Sequence, residues 1–408
     1  MNRRVTVGVF AVAMATVLTV SACGSKSSGG SEGGASSSAG SSDVTISPVA
    51  QIDTSGKVVP SADASSAILP AGDGKATCPA STIAMAGALT GDNAALGINI
   101  RDGAQLAVDQ HNKANPGCQI SLKTFDTEGD PQKASQVAPQ ITNDQSIIGL
   151  IGPAFSGETK ATGSVFNQAG LVATTASATN PTLASNGWKT FFRGLANDDV
   201  QGPAVAKYMT GKLGYKKVCV IKDDSEYAAG LAKAITTGLG SANDSSCNGD
   251  VKTKDRDFSA IITKVNAAKP DAVFYAGYYA EAAPLVQQMK NAGVSATFVS
   301  GDGVNDPQFV SQAGSAAKGS DLSCPCGPAP DAFKSAYKTQ FNQDPGVYSV
   351  EAYDLATILM RGIGAGNTTR PKLLEYVRGY DGQGLARTYK WTSDGELTSS
   401  LIWMYDVK

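Results

Sequence analysis

Residues 147–163 read IIGLIGPAFSGETKATG, and the reading of this stretch decides the fold of the whole chain. It opens on the apolar run Ile147–Ile151, bounded by Gly and Pro, the pattern of a strand buried on both faces of a parallel sheet. It breaks at Gly152-Pro153, offers Ser156-Gly157, and continues at helical spacing through Ala161, Val165 and Phe166. A Ser at that break can act as a helix N-cap with free N–H groups behind it. Such a helix start takes an anion, a ligand carboxylate included. An ordinary βα turn with a capping Ser has the same local pattern. The next unit tips the balance, because strand Leu171–Thr175 is followed by Ser177, Ala178, Thr179, Asn180 and Pro181. Two consecutive strand ends that present hydroxyls and helix-start amides define a crevice.

Outward from this stretch, apolar strands alternate with helices of 3.6-residue period from Thr82 onward, which is the pattern of parallel α/β architecture. One series runs from strand Thr82–Leu89 to strand Thr190–Leu195. A second begins at strand Lys217–Lys222 and includes Val251–Lys254, Asp271–Ala276 and Thr297–Ser300. Two series of similar length predict two lobes of one doubly wound type. The acidic pair Asp198-Asp199 opens a helix, where it compensates the helix dipole.

The chain begins Met1-Asn2-Arg3-Arg4, followed by an apolar run from Val5 to Val20 that is short for a membrane span. The run ends Val20-Ser21-Ala22-Cys23-Gly24, similar to the lipobox of bacterial lipoproteins, which implies cleavage before Cys23 and lipidation of it. From Gly24 to about Thr77, Ser, Gly and Ala dominate, and the stretch is read as a tether. A net charge of −2 gives no basic field for nucleic acid.

Of 7 Cys, six remain beyond Cys23, an even set that outside the cytoplasm points to disulfides. Cys78 precedes the first strand and Cys118 opens its neighbour, so these two pair. Cys219 either pairs with Cys247 or stays a buried free thiol. Cys324-Pro325-Cys326 either closes a tight ring or forms half a zinc site. No second Cys-x-x-Cys or His cluster exists to complete the latter, so no metal is expected.

A search for chemistry finds no Walker A sequence and no Gly-x-Ser-x-Gly elbow. The sole histidine, His111, sits late on the first helix beside Gln110 and Asn112 and is read as solvated. Gly362-Ile363-Gly364-Ala365-Gly366 ends a helix and reads as its C-cap and loop. An enzyme therefore lacks a centre, and no cofactor is expected. What the strand ends do offer suits a small zwitterion. Ser156 and Thr179 suit a carboxylate, Asp302 suits an ammonium, and Tyr227, Tyr275, Tyr278 and Tyr279 supply aromatic walls with polar tips.

The stretches GALTGDNAALGINIRDGAQLAVD, FDTEGDPQKA, IGPAFSGET, ASATNPTL, VQGPAVAKYM, KDDSEYAAGLA, FYAGYYAEAAPLVQQM and KWTSDGEL, in this order, resemble the type I periplasmic binding proteins, specifically the leucine/isoleucine/valine-binding branch. The resemblance runs from about Thr82 to the C-terminus. It implies two doubly wound parallel-sheet lobes joined by a three-stranded hinge. A signal peptide at 1–22 and a lipidated tether at 23–77 would precede 78–198 plus 327–387 as one lobe and 199–326 plus 388–408 as the other. Crossovers are expected near Asn197–Val200, Ser323–Gly327 and Ala386–Trp391, which puts Cys324 and Cys326 on the hinge.

Carried over by position, Ser156, Thr179 and the Ser177-Ala178 backbone would hold a ligand α-carboxylate. Asp302 would replace a Glu one methylene longer at the ammonium, and Tyr227 and Tyr278 would reach in from the second lobe. Leu96 stands where branched-chain binders carry an aromatic ring. The resemblance also implies a monomer that delivers a solute to the permease subunits of an ABC importer at the outer face of the membrane. Amino acids lead the solutes, with amides, urea or aromatic acids as the alternative. An extracellular sensor lobe and a hydrolase on the same fold are the other functions weighed.

Overall fold

The structure is a computed structural model and describes residues 44–61 and 66–408. The leader, Cys23, and residues 24–43 and 62–65 of the expected tether lie outside the described residues. Five parallel strands form the first sheet, in the order Ile120–Asp126, Ser81–Gly87, Ile147–Ile151, Val172–Thr175, Phe191–Arg193. A second sheet repeats the pattern in parallel, in the order Gly249–Asp250, Val218–Lys222, Ala272–Ala276, Thr297–Ser300, Asp321–Cys324. It then continues with the antiparallel strands Ile402–Val407, Ile46–Ile52 and Val58–Val59. In both parallel sets the second strand of the series lies outside the first and the later ones lie on the other side. One doubly wound topology is therefore used twice, as the alternating pattern predicts.

Period-two geometry sends alternate residues of Ser81–Gly87 to opposite faces, both of them apolar, and a register shift opposite Thr82–Ile83 resets the alternation in Ile147–Ile151. Ile83, Met85, Ile148 and Ile151 point into the main core, while Ala84, Ala86, Ile147 and Leu150 join a smaller cluster with Val137, Ile141 and Phe166. Helices Pro131–Asn143 and Ser156–Gln168 supply that second cluster. Helices Ala94–Ala114 and Ser349–Gly364 pack against each other on the opposite face. Each fully buried aliphatic side chain contributes about 1.5–3 kcal/mol. Gly149 lets the layers approach closely, since a Cβ there would meet Leu373 and Leu359 at 3.2–3.3 Å and press their methyl groups outward.

Three expectations change. The tether reading through Thr77 runs too far, because Ile46–Ile52 pairs in register with Ile402–Val407, from Ile46 opposite Val407 to Ile52 opposite Ile402. Averaging composition over a Ser/Gly-rich stretch concealed Val44 and Ile52, which are buried. The chain then crosses to the first sheet's side, where the Ile68 N–H donates to the Gln383 carbonyl at 2.7 Å. His111 is buried, not solvated: Nδ1 lies 3.1 Å from the Pro70 carbonyl oxygen and Nε2 lies 3.1 Å from that of Cys118. Its role is to fasten this N-terminal segment. The third change is at 251–254, which forms no strand. Pairing ends at Asp250, and Lys254 takes φ 72° with its N–H on Glu281 Oε1 at 2.7 Å.

All three cysteine pairs are bonded, Cys78–Cys118, Cys219–Cys247 and Cys324–Cys326. Helix Ser349–Gly364 ends at Ala365, and Gly366 takes φ 91°, so the glycine-rich run is a helix terminus as read.

Candidate functional site

The carboxyl ends of the two sheets face one another, and a chamber of about 10 Å³ lies between them. It is lined by Phe155, Ser156, Ser177 and Tyr348 from the first sheet's side, and by Tyr227, Tyr278 and Asp302 from the second. Tyr278 and Asp302 lie two residues beyond the strands Ala272–Ala276 and Thr297–Ser300, and Tyr227 sits in the first turn of helix Glu226–Leu239, which follows strand Val218–Lys222. Gly277 makes the turn into Tyr278, since a Cβ there would lie 2.3 Å from the Tyr275 hydroxyl.

On the first jaw, Ser156 is the first residue of helix Ser156–Gln168, and Phe155, not Ser156, occupies the N-cap. The cap is supplied from within the helix, where Glu158 Oε2 accepts the Phe155 N–H at 2.8 Å. This frees the Ser156 hydroxyl, which accepts the Asn180 N–H at 3.3 Å and keeps its own proton for a guest. Burial pushes the Glu158 carboxyl up to about 7. The next turn is more committed. The Ser177 hydroxyl donates to the Ala154 carbonyl, and the Ala178 N–H donates to Thr175 Oγ1 at 3.0 Å. Arg193, fully buried, donates to the carbonyls of Ala178 and Asn180 and pairs with Glu396 at 2.8 Å. It therefore braces the turn from behind.

The second jaw carries the charge. Asp302 is buried, with Oδ1 accepting from the Tyr227 hydroxyl at 2.9 Å and Oδ2 from the Tyr348 hydroxyl at 2.7 Å. The second bond joins the two jaws. Burial raises the Asp302 pKa, and the two phenol donors offset part of that rise. Asp198 lies close by and was expected only to compensate a helix dipole. It is instead fully buried, and neither carboxylate oxygen has a hydrogen-bond partner among the described residues. Burial, and then the neighbouring Asp302 charge, pushes its pKa well up. The Thr179 hydroxyl is likewise buried and unpaired among the described residues.

The structure thus brings Ser156, Ser177, Tyr227, Tyr278 and Asp302 to one chamber. Ala178 and Thr179 sit one layer behind, and Leu96 packs into the main core without lining the chamber. Tyr275 is core, with its hydroxyl 3.5 Å from Asp223 Oδ2, while the Tyr279 hydroxyl accepts the Ala95 N–H at 3.3 Å across the cleft. Two lining residues escaped the sequence reading. Phe155 lies inside the motif directly before Ser156, and an apolar residue there carries no signal that sets it apart from core. Tyr348 has no local signal, lying in a turn at φ 69° before helix Ser349–Gly364. Outside the chamber a cavity of about 640 Å³ shares only Phe155 and Tyr278 with it, and those rings lie 4.7 Å apart. They are the partition. The outer cavity is rimmed by the ion pairs Lys160–Glu226 at 2.9 Å and Arg256–Asp92 at 3.0 Å, both running from jaw to jaw. Among the described residues no cluster of metal-ligating side chains occurs, and no helix is long and apolar enough to cross a membrane.

Two sheets of one topology, meeting through their strand ends over a buried carboxylate and a helix start, define a two-lobed solute-binding protein. The chain belongs to the periplasmic binding protein family, whose model matches residues 81–408. It is 30% identical over 341 residues to the leucine-, isoleucine-, valine-, threonine-, and alanine-binding protein of Pseudomonas aeruginosa, covering 78% of this chain and 91% of that one. It is 26% identical over 332 residues to the Leu/Ile/Val-binding protein of Escherichia coli, covering 79% and 90%. Among solved structures, it is similar to the branched-chain amino acid transporter substrate binding protein LivJ of Streptococcus pneumoniae in complex with isoleucine. The TM-score is 0.75 with 26% identity, over 81% of this chain and 99% of that one.

Proposed function

We propose that the protein is the solute-binding component of an ABC importer, held at the outer face of the membrane through lipidated Cys23. It would act as a monomer, without chemical turnover, and would hand an amino acid to the permease subunits. The observation that carries this reading is Asp302, a buried carboxylate on one jaw placed across a small chamber from the Ser156 helix start on the other. An ammonium pairs with the first and a carboxylate with the second, so a zwitterion bridges the jaws and favours the closed arrangement. The amino-acid-binding relatives support the same reading.

Native mass spectrometry of the full chain, followed by calorimetry against amino acids, amides, urea and aromatic acids, tests it. A bound amino acid at one-to-one stoichiometry is the expected result. Binding of an amide or aromatic acid alone would keep the transport role and discard the zwitterion bridge. Consumption of a bound solute would overturn the non-enzymatic reading.

A further inference from the structure

We infer that Phe155 and Tyr348 set the size of the solute, and that this solute is an amino acid of glycine or alanine size, not a branched-chain one. The inference rests on the amino-acid reading above. It starts from the chamber, whose 10 Å³ is room for about one water. Even the zwitterionic end of an amino acid needs more, so the jaws part slightly to admit it. Every further side-chain atom has to displace a ring.

Neither ring is free to leave. Tyr348 stands at a left-handed backbone position directly before a helix that packs along Ala94–Ala114, and its hydroxyl is spent on Asp302 at 2.7 Å. Phe155 has its N–H held by Glu158 and its ring 4.7 Å from Tyr278. Its other side is closed by Gly129, where an added Cβ would already lie 2.8 Å from the Phe155 ring. Behind Phe155 and Tyr278 lies the cavity of about 640 Å³, ample for a leucine side chain but walled off by those rings. On the opposite side Tyr348 stands between the chamber and a second cavity of about 150 Å³, so the limit on size is set by the rings of Phe155, Tyr278 and Tyr348 and not by a shortage of space in the cleft.

Calorimetry on the full chain with glycine, alanine and leucine tests this, using the native protein and the variants Phe155→Ala, Tyr348→Ala and Tyr348→Phe. A melting curve for each variant establishes folding. The expected result is that the native protein binds alanine at least tenfold more tightly than leucine. That ratio falls to about threefold or less in Phe155→Ala and Tyr348→Ala, and persists in Tyr348→Phe, which keeps the ring. If Tyr348→Ala fails to fold, Phe155→Ala alone decides, because it joins the chamber to the outer cavity. Leucine binding as tightly as alanine in the native protein would overturn the inference and leave the amino-acid clamp standing. Discrimination that survives in every folded Ala variant would overturn the assignment to these rings. Binding of none of the three amino acids would remove the amino-acid reading and this inference together.

Discussion

The two jaws of the cleft solve opposite halves of one recognition problem. The first offers neutral donors: the Ser156 hydroxyl, the helix start behind it, and a turn whose Ser177 hydroxyl and Ala178 N–H are already paired. The second offers the buried acid Asp302, toward which its own Tyr227 and Tyr348 of the first jaw turn their phenols. The neutral jaw draws mostly on backbone and hydroxyl groups, whereas the charged jaw concentrates its contribution in one carboxylate. Binding energy is therefore spread thinly on one side and focused on the other.

The sharpest way to break this contrast is Asp302→Ala. Orphaning a buried ligand ammonium costs about 3–5 kcal/mol, on the order of a hundredfold or more in Kd by calorimetry. A loss below about threefold would show that no ammonium sits there. The first jaw also stays neutral only within a pH window. Burial raises the Glu158 carboxyl from its ordinary 4.5 to about 7, so folding favours its protonated form. Its contribution to stability is complete below about pH 4.5 and is lost as pH rises through 7. The native protein should lose up to about 3 kcal/mol of stability from this group between those limits. Glu158→Gln keeps an acceptor for Phe155 but does not titrate, so its melting temperature should vary less between pH 5 and 8. Equal slopes for the two proteins would show that Glu158 does not carry the effect.

A smaller effect is expected at a second buried contact between the jaws. The Asn99 side chain donates to Asp306 Oδ2 at 2.8 Å, and both residues are buried. Asn99→Ala leaves that oxygen unpaired, a cost of about 1–3 kcal/mol. It should appear as weaker binding and as a more open particle by small-angle scattering with ligand present. The smallest effect belongs to the rim. Lys160 is half-exposed, and Lys160→Ala should weaken binding by less than about 1 kcal/mol. That difference should vanish at high salt, and one that persisted there would place the pair in the binding energetics proper.

The architecture was legible because central strands of the parallel sheets are apolar runs, Ile147–Ile151 and Ala272–Ala276 each closed by a Gly. Ile147–Ile151 and Ala272–Ala276 are both buried throughout, as such runs require. The site was legible only where chemistry sits at a strand end, as with Ser156 and Asp302. Tyr348 could not be read, because its position depends on a left-handed turn and on a helix packed far away in sequence. Asp198 misled because a helix-start acid is ordinary, and nothing local says that it is sealed from water. His111 misled likewise, since its carbonyl partner Pro70 lies in a stretch whose composition argues for disorder. The edge strand Ile46–Ile52 was hidden for the same reason, its partner being the last strand of the chain.

That edge strand bears on solubility as well as architecture. The family match begins at residue 81, and a chain trimmed to that point would lose Ile46–Ile52 and Val58–Val59. The strand Ile402–Val407 would then become the sheet's border, with a row of unpaired N–H and C=O groups facing outward. A bare border of this kind recruits strands from other molecules and seeds aggregation. The segment 46–59 is thus also the guard that keeps one copy of the protein from adding itself to the next.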